Sequence, residues 1–419
     1  MNKERRIVAV TGVGIVTALG IGKAENWSKL VSGTCGIHRL TRFPTDGLKT
    51  TVGGSVDFIP LEDFNAPALG HAMARLAVSE ALEESGLAGE KPFPGPLFLA
   101  APPVEHEWPQ RAALAKRVGA GFSAYTDFLN ADFAGCEKLH EDFLFASIAD
   151  RLATEFRTQG SPITLTTACA SGASAIQLGV EAIRRGACTT ALCTATDGSI
   201  HPESLIRFSL LSALSMSNEE PAKAAKPFSK NRDGFVMAEG AAALVLEDAA
   251  VAEARGAKIL GYIAGLGEAA DTFHRTRSNP DGKAIIRCMN DAIADAGLTP
   301  ADIDYVNAHG TGTPENDKME SFGIENVFGA RSAKIPVSSN KSMIGHTLTA
   351  AGAVEAVISL LTLGAQILPP TINHEIPDPT IPLDVVPNKA RPATVRHVLS
   401  NSFGFGGQNV SLLISAEPR

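Results

Sequence analysis

At 419 residues, 44% of them hydrophobic and 20% charged, the chain has the length and composition of a globular protein with a large buried core. A formal net charge of −8 argues against nucleic acid as the main partner. No run of about eighteen apolar residues reads as a membrane span, and the opening "MNKERRIVAVTG" lacks the long apolar stretch and cleavage site of a secretory signal.

The first predicted element is a strand in "VAVTGVGIVTALG". Its glycines invite a dinucleotide-binding reading, but no acidic residue closes a second strand some twenty residues on. Close packing of a strand against a helix accounts for them equally well. Next comes an amphipathic helix ending in "SEALEESGL" (79–87), closed by a glycine and followed by the strand-like "PLFLAA". Residues from about 95 to 150 are aromatic and charged. A short apolar run (Ile163, Leu165) then leads through "TTACASG" into the helical pattern "ASAIQLGVEAIRRG". In "EDAAVAEARGAKILGYIAG" a helix ends at Gly256 and a strand begins. Beyond it the pattern repeats. "NDAIADAGL" (290–298) matches 79–87, and "AVEAVISLL" (353–361) matches "GVEAIRRGA" (179–187). Strands alternating with helices in both parts predict a layered α/β protein of two similar halves, 1–255 and 256–419, the first carrying an insertion at about 95–150.

The six cysteines, at 35, 136, 169, 188, 193 and 288, form no CxxC pair, so neither a zinc site nor a disulfide framework is indicated and a reducing cytoplasm is expected. Cys169 differs from the others. Small residues surround it at a strand–helix junction, where free N–H groups and the helix dipole would lower its pKa and favour a nucleophilic thiolate. Two histidines in similar surroundings supply partners. His309 follows "IDYV" in "NAHGTGTPENDKME", and His346 stands in "NKSMIGHTLTAAGAVE". "FGFGG" near the C-terminus lacks the Lys-Ser/Thr of a phosphate loop.

Together "TTACASG", "NAHGTGTPENDKME", "NKSMIGHTLTAAGAVE" and "NSFGFGGQN" resemble the β-ketoacyl-acyl carrier protein synthases of the elongating, two-histidine type, in order and over most of the chain. The resemblance implies the thiolase-like α/β fold, with two βαβαβαββ halves in a five-layered αβαβα arrangement. It implies Cys169 as acyl acceptor, with oxyanion donors from the N–H groups of Cys169 and Phe403, and His309 and His346 as donors to a malonyl thioester. Lys341 and Glu320 give electrostatic support, and Phe403 is the gating aromatic. Thr311, Thr313, Asp317, Thr276 and Phe405 would meet the substrate. Asn307, Glu355, Ser400 and Asn401 match positions for a monovalent cation, Na+ or K+. No cofactor is required beyond the phosphopantetheine carried by the substrate. The implied partners are acyl carrier protein, acyl and malonyl thioesters and a second copy of the chain, with no nucleic acid and no membrane. Two rivals share the fold: a thiolase, which needs a second cysteine near the C-terminus, and a non-catalytic chain-length-factor-like subunit, which commonly lacks the nucleophile. Ser212 stands where the family often has an arginine facing the carrier protein, leaving Arg207, Arg184, Arg185, Lys116 or Arg117 to supply a basic patch. Arg277 stands where a small hydroxyl residue often lines the pantetheine channel.

Overall fold

The order of the strands carries the internal repeat. The computed structural model describes residues 5–61, 64–89, 91–118, 126 and 134–419, so part of the insertion expected at 95–150 lies outside the described residues. The first half supplies β1 (Val8–Thr17), β2 (Leu97–Ala100), β3 (Ile163–Leu165), β4 (Thr190–Asp197) and β5 (Gly240–Asp248). The second supplies β6 (Gly261–Ala270), β7 (Tyr305–Asn307), β8 (Val337–Ser338), β9 (His397–Phe403) and β10 (Gln408–Ser415). Across the sheet the neighbours run β3-β2-β4-β5-β1 and β8-β7-β9-β10-β6, one relative order used twice. The sense of pairing repeats too. β2 is parallel to β3 and β4, and β5 antiparallel to β4 and β1. β7 is likewise parallel to β8 and β9, and β10 antiparallel to β9 and β6. The halves join along β1 and β6 through Ala9↔Tyr262 and Val10↔Gly261.

The helices that matter for the site are α1 (Ala66–Ser85), α2 (Ser171–Arg184), α3 (Pro202–Leu210), α4 (Lys283–Asp295), α5 (Pro314–Phe328), α6 (Lys341–Ile344) and α7 (Ala351–Ala365). α1 covers β1 and β5, α4 covers β6 and β10, and α2 packs on α7 between the two half-sheets, giving five layers. Three apolar clusters fill the spaces between the layers: Met73 and Ala77 of α1 lie with Leu97 of β2, Ile176 of α2 with Val357 of α7 at the centre, and Met289 of α4 with Leu413 of β10. A Cβ on Gly12 or Gly14 of β1 would stand 2.0 Å from Ala81 O or 1.9 Å from Ala77 O in α1. Gly265 and Gly267 of β6 meet Ala292 O and Cys288 O of α4 at 2.0 and 1.9 Å in the same way. The N-terminal glycines therefore serve helix–strand packing.

Segment Leu348–Ala365 is, against the expectation from sequence, long and apolar enough to cross a membrane, but 83% of it is buried within the protein's own core. At its crossing with α2 the backbones nearly touch. A Cβ on Gly172 would lie 2.6 Å from Ala353 N, and one on Gly352 would lie 2.5 Å from Ala173 N. Since neither backbone can yield alone, Gly172→Ala and Gly352→Ala are each expected to cost about 1–3 kcal/mol or more by overpacking. A drop in thermal unfolding midpoint reads this out, and an unchanged midpoint would contradict the close crossing.

Candidate active site

Cys169 is presented by a tight turn between β3 and α2. Ala168 takes a left-handed conformation, φ 51, unusual for a residue with a Cβ. Ser171 secures the turn, accepting the Thr167 N–H at 2.7 Å and donating to Ala168 O at 2.6 Å. The Gly-rich loop after β9 comes against it from the second half, because a Cβ on Gly404 would stand 2.9 Å from Thr167 O. This approach directs the backbone N–H of Phe405 at the Cys169 sulfur.

That contact corrects one expectation. Phe405, not Phe403, supplies the N–H beside Sγ, and Phe405, unlike Phe403, lines both cavities meeting at Cys169. Phe403 is the last residue of β9, buried, with its ring 5.9 Å from that of His309. The thiol pKa is corrected as well. Burial pushes Cys169 up to about 11, with the Phe405 N–H and the charge of Lys341 opposing it. The desolvation of a buried sulfur exceeds the help expected from its place at the head of a helix.

His346 Nε2 lies 3.2 Å from Cys169 Sγ. Its Nδ1 accepts the Leu348 N–H at 3.2 Å, which assigns the ring proton to Nε2 and makes that nitrogen a donor towards the sulfur. The backbone is fixed on both sides, His346 N–H donating to Val236 O at 2.7 Å and His346 O accepting from Ala238 N–H at 2.9 Å. His309 stands edge-on to it, ring centroids 5.3 Å apart. Donor atoms of Cys169, His309 and His346 all lie within 4.8 Å of one another. Burial holds both imidazoles well below their ordinary pKa, and the Lys341 charge adds to this. Both rings are therefore neutral at pH 7.

Lys341 and Glu320 act on the backbone of His309. Glu320 accepts the N–H groups of His309 and Gly310 at 2.8 and 2.7 Å, and Lys341 Nζ donates to His309 O at 2.7 Å while pairing with Glu355. All three charged side chains are buried. Desolvation raises Glu320 to about 7, against about 4.3 in an unfolded chain. Its contribution is therefore fully present below pH ~4.3 and lost as pH rises through the folded value near 7. Glu320→Gln should flatten the fall of thermal midpoint between pH 5 and 8; an unchanged slope would remove Glu320 from that titration.

Thr311, Thr313, Thr276 and Arg277 line a cavity of about 510 Å³ that reaches Cys169, His309 and His346. Thr311 and Thr313 share a hydroxyl–hydroxyl bond of 2.9 Å. A second cavity of about 520 Å³ also reaches Cys169, walled by Phe208, Leu211, Ile148 and Pro102. Asp197 lies in its wall and accepts the Thr349 N–H at 3.1 Å. Sequence reasoning missed Asp197 because nothing local marks it. Asp317 does not reach either cavity. It is fully buried, accepting from the N–H groups of Phe228 (2.7 Å) and Gly312 (3.1 Å), and so holds the Thr311–Thr313 loop instead of a substrate. Of the expected basic patch, Arg207 pairs with Glu105 and Arg184 with Asp295, while the Arg117 side chain lies outside the described residues.

Three of the four expected cation ligands come together. Asn307 and Ser400 are register partners on β7 and β9, Asn307 donates to Glu355 O at 3.0 Å, and Glu355 Oε2 is buried without a partner among the described residues. Asn401 faces elsewhere, its Oδ1 accepting from Ser411 and its Nδ2 donating to Glu320.

Residues 5–252 match the family model for the N-terminal domain of beta-ketoacyl synthase, and residues 260–375 match the C-terminal domain. A putative polyketide beta-ketoacyl synthase 1 from Streptomyces cyaneus is 36% identical over 98% of both chains. The 3-oxoacyl-[acyl-carrier-protein] synthase 2 of Coxiella burnetii is 35% identical over 98% of this chain and 99% of its own. Among solved structures, the ketosynthase in AntDE:AntF, a type II PKS acyl-carrier protein in complex with its ketosynthase bound to the hexaketide, superposes with a TM-score of 0.88 at 30% identity, covering 99% of this chain and 100% of that one.

Proposed function

Because this chain belongs to the β-ketoacyl synthase family, we propose that it joins an enzyme-bound acyl chain to malonyl-acyl carrier protein by decarboxylative Claisen condensation, releasing 3-oxoacyl-acyl carrier protein. One observation carries the reading: Cys169, His309 and His346 converge where two cavities meet, one suited to a carrier's arm and one to an acyl chain.

In the first half-reaction Cys169 Sγ attacks the thioester carbonyl of the acyl carrier. The oxyanion of the tetrahedral intermediate is held by the N–H groups of Cys169 and Phe405. Its collapse expels the pantetheine thiolate, which takes up the proton that the thiol gave up. In the second, the malonyl thioester carbonyl faces His309 and His346. Its carboxyl C–C bond breaks, carbon dioxide leaves, and the electron pair becomes an enolate whose oxygen accepts hydrogen bonds from the two neutral rings. The enolate carbon then attacks the acyl-cysteine carbonyl, and the Cys169 thiolate is expelled. Thr311, Thr313 and Thr276 contact the arm's amides, and Phe405 gates the passage to the acyl cavity.

A monovalent cation, Na+ or K+, would be held by Asn307, Glu355 and Ser400, where its charge offsets a buried carboxylate that Lys341 only partly neutralises. The partner is an acyl carrier protein, as in the AntDE:AntF complex. A second copy of the chain would cover β3, which ends the sheet with Ile163 exposed. Cytoplasmic conditions would keep Cys169 reduced. The stretch Asn401–Asn409 holds no cysteine, which disfavours a thiolase, and the complete Cys–His–His set disfavours a non-catalytic subunit.

Incubation with an acyl-carrier thioester and malonyl carrier protein should yield a 3-oxoacyl product two carbons longer than the primer, measured by mass spectrometry on the carrier. Transfer without decarboxylation, or no product across a ladder of primers, would refute the reading.

A further inference from the structure

The cavity that runs from Cys169 past Thr311 and Thr313 also meets two basic side chains that no step above uses. Arg275 and Arg277 both line it and both are exposed. Neither guanidinium has an ion pair or hydrogen bond among the described residues. The carboxylates nearest in sequence are committed elsewhere: Asp271 accepts the N–H groups of Phe273 at 2.9 Å and Asn279 at 2.7 Å, and Asp281 pairs with Lys283 at 3.1 Å. Glu315 lines the same cavity without pairing with either arginine. The segment that carries them is tied to the loop of Phe405. Gly406 N–H donates to Arg275 O at 2.8 Å, and Asp271 N–H donates to Gly407 O at 2.7 Å. A Cβ on Gly407 would stand 1.8 Å from Asp271 O, so only glycine allows the two loops to meet.

Two unpaired guanidinium groups beside one channel, in a chain of net charge −8, form a local anion site. We propose that Arg275 and Arg277 bind the phosphate of the phosphopantetheine arm and select thioesters that carry it, an inference that rests on the function proposed above. The arm's reactive end must lie at Cys169, and its amides are uncharged. The phosphate at its far end is the anion that such a channel would meet, and a planar guanidinium binds phosphate oxygens in pairs. Acidic side chains on the carrier protein are the competing anion, and the test separates the two.

The probe is a pantetheine chloroacetamide with and without the 4′-phosphate, in the absence of carrier protein. Sγ of Cys169 forms a bond to carbon as the C–Cl bond breaks; chloride leaves with the electron pair and the thiol proton passes to solvent. At subsaturating probe, the wild-type protein should be alkylated about tenfold faster by the phosphorylated form, the equivalent of one good charge-assisted contact. In Arg275→Ala/Arg277→Ala the ratio should fall to about one, and in Arg275→Lys/Arg277→Lys part of it should return. A ratio near one in the wild type, or a ratio the double alanine variant keeps, would overturn the proposal. So would a defect confined to carrier-borne probe, which would assign the arginines to the carrier's surface. Because alkylation needs no condensation, failure of the wild type to make 3-oxoacyl product would count against the proposed function alone.

Discussion

Cys169→Ala should abolish acyl-enzyme formation and lower condensation by about 10³-fold or more, the scale of removing a nucleophile. The change is small sterically. Cys169 is 9% exposed, lies between small residues, and loses only its sulfur, so the thermal midpoint should move far less than in the Gly172 and Gly352 variants. The two other buried thiols cannot substitute. Cys193 and Cys288 are buried in the two cores, where burial pushes Cys288 up to about 12 and Cys193 higher still. Within the described residues only Cys169 shares a cluster with histidines. The assay is product formation from a fixed acyl primer, with the folded state checked by thermal unfolding. Activity within about tenfold of wild type would show that the acyl group is not carried on this sulfur.

His309→Ala and His346→Ala should each reduce carbon dioxide release from malonyl carrier protein by about 10²–10³-fold, the usual effect of removing one donor from an oxyanion site. Two details of the site make this specific. Both rings are held neutral by burial, so each acts as an N–H donor and not as a titrating acid. The rate should therefore show no imidazole titration between pH 6 and 8; a cationic acid would instead lose activity as pH rises through about 6.5. For the same reason His346→Gln, whose amide retains a donor, should keep more activity than His346→Ala. Labelled malonyl carrier protein measures the release directly, and undiminished rates in either alanine variant would take that ring out of the mechanism.

Much of this site could be read from the chain before any coordinates. Cys169 and His309 sit in short runs of small residues that follow strands, and His346 in one that follows α6, each run leaving room beside the reacting side chain. The internal repeat was legible because the two outer helices end alike, Gly86 and Gly297 adopting left-handed φ of 71 and 69. What could not be read depended on contacts between the halves. Phe403 and Phe405 both stand in a glycine-rich run, and only the approach of Gly404 to Thr167 reveals which N–H reaches the sulfur. A helix start lowers a thiol pKa only where the thiolate stays solvated, and the burial of Cys169 between the halves leaves it little solvent. Asp317 looks like a substrate contact in sequence, but its carboxylate goes to the amides of Phe228 and Gly312. Arg207 and Arg184 look like a carrier-docking patch, but each is paired with a carboxylate, Glu105 or Asp295.

Peptide-resolved mass spectrometry of the protein mixed with an acyl-carrier thioester, before and after malonyl carrier protein is added, tests the central claim most directly. The acyl mass should appear on the peptide containing Cys169 and then disappear as 3-oxoacyl carrier forms in equal amount. Acylation at any other residue, or an acyl-Cys169 that malonyl carrier protein fails to discharge, would contradict it.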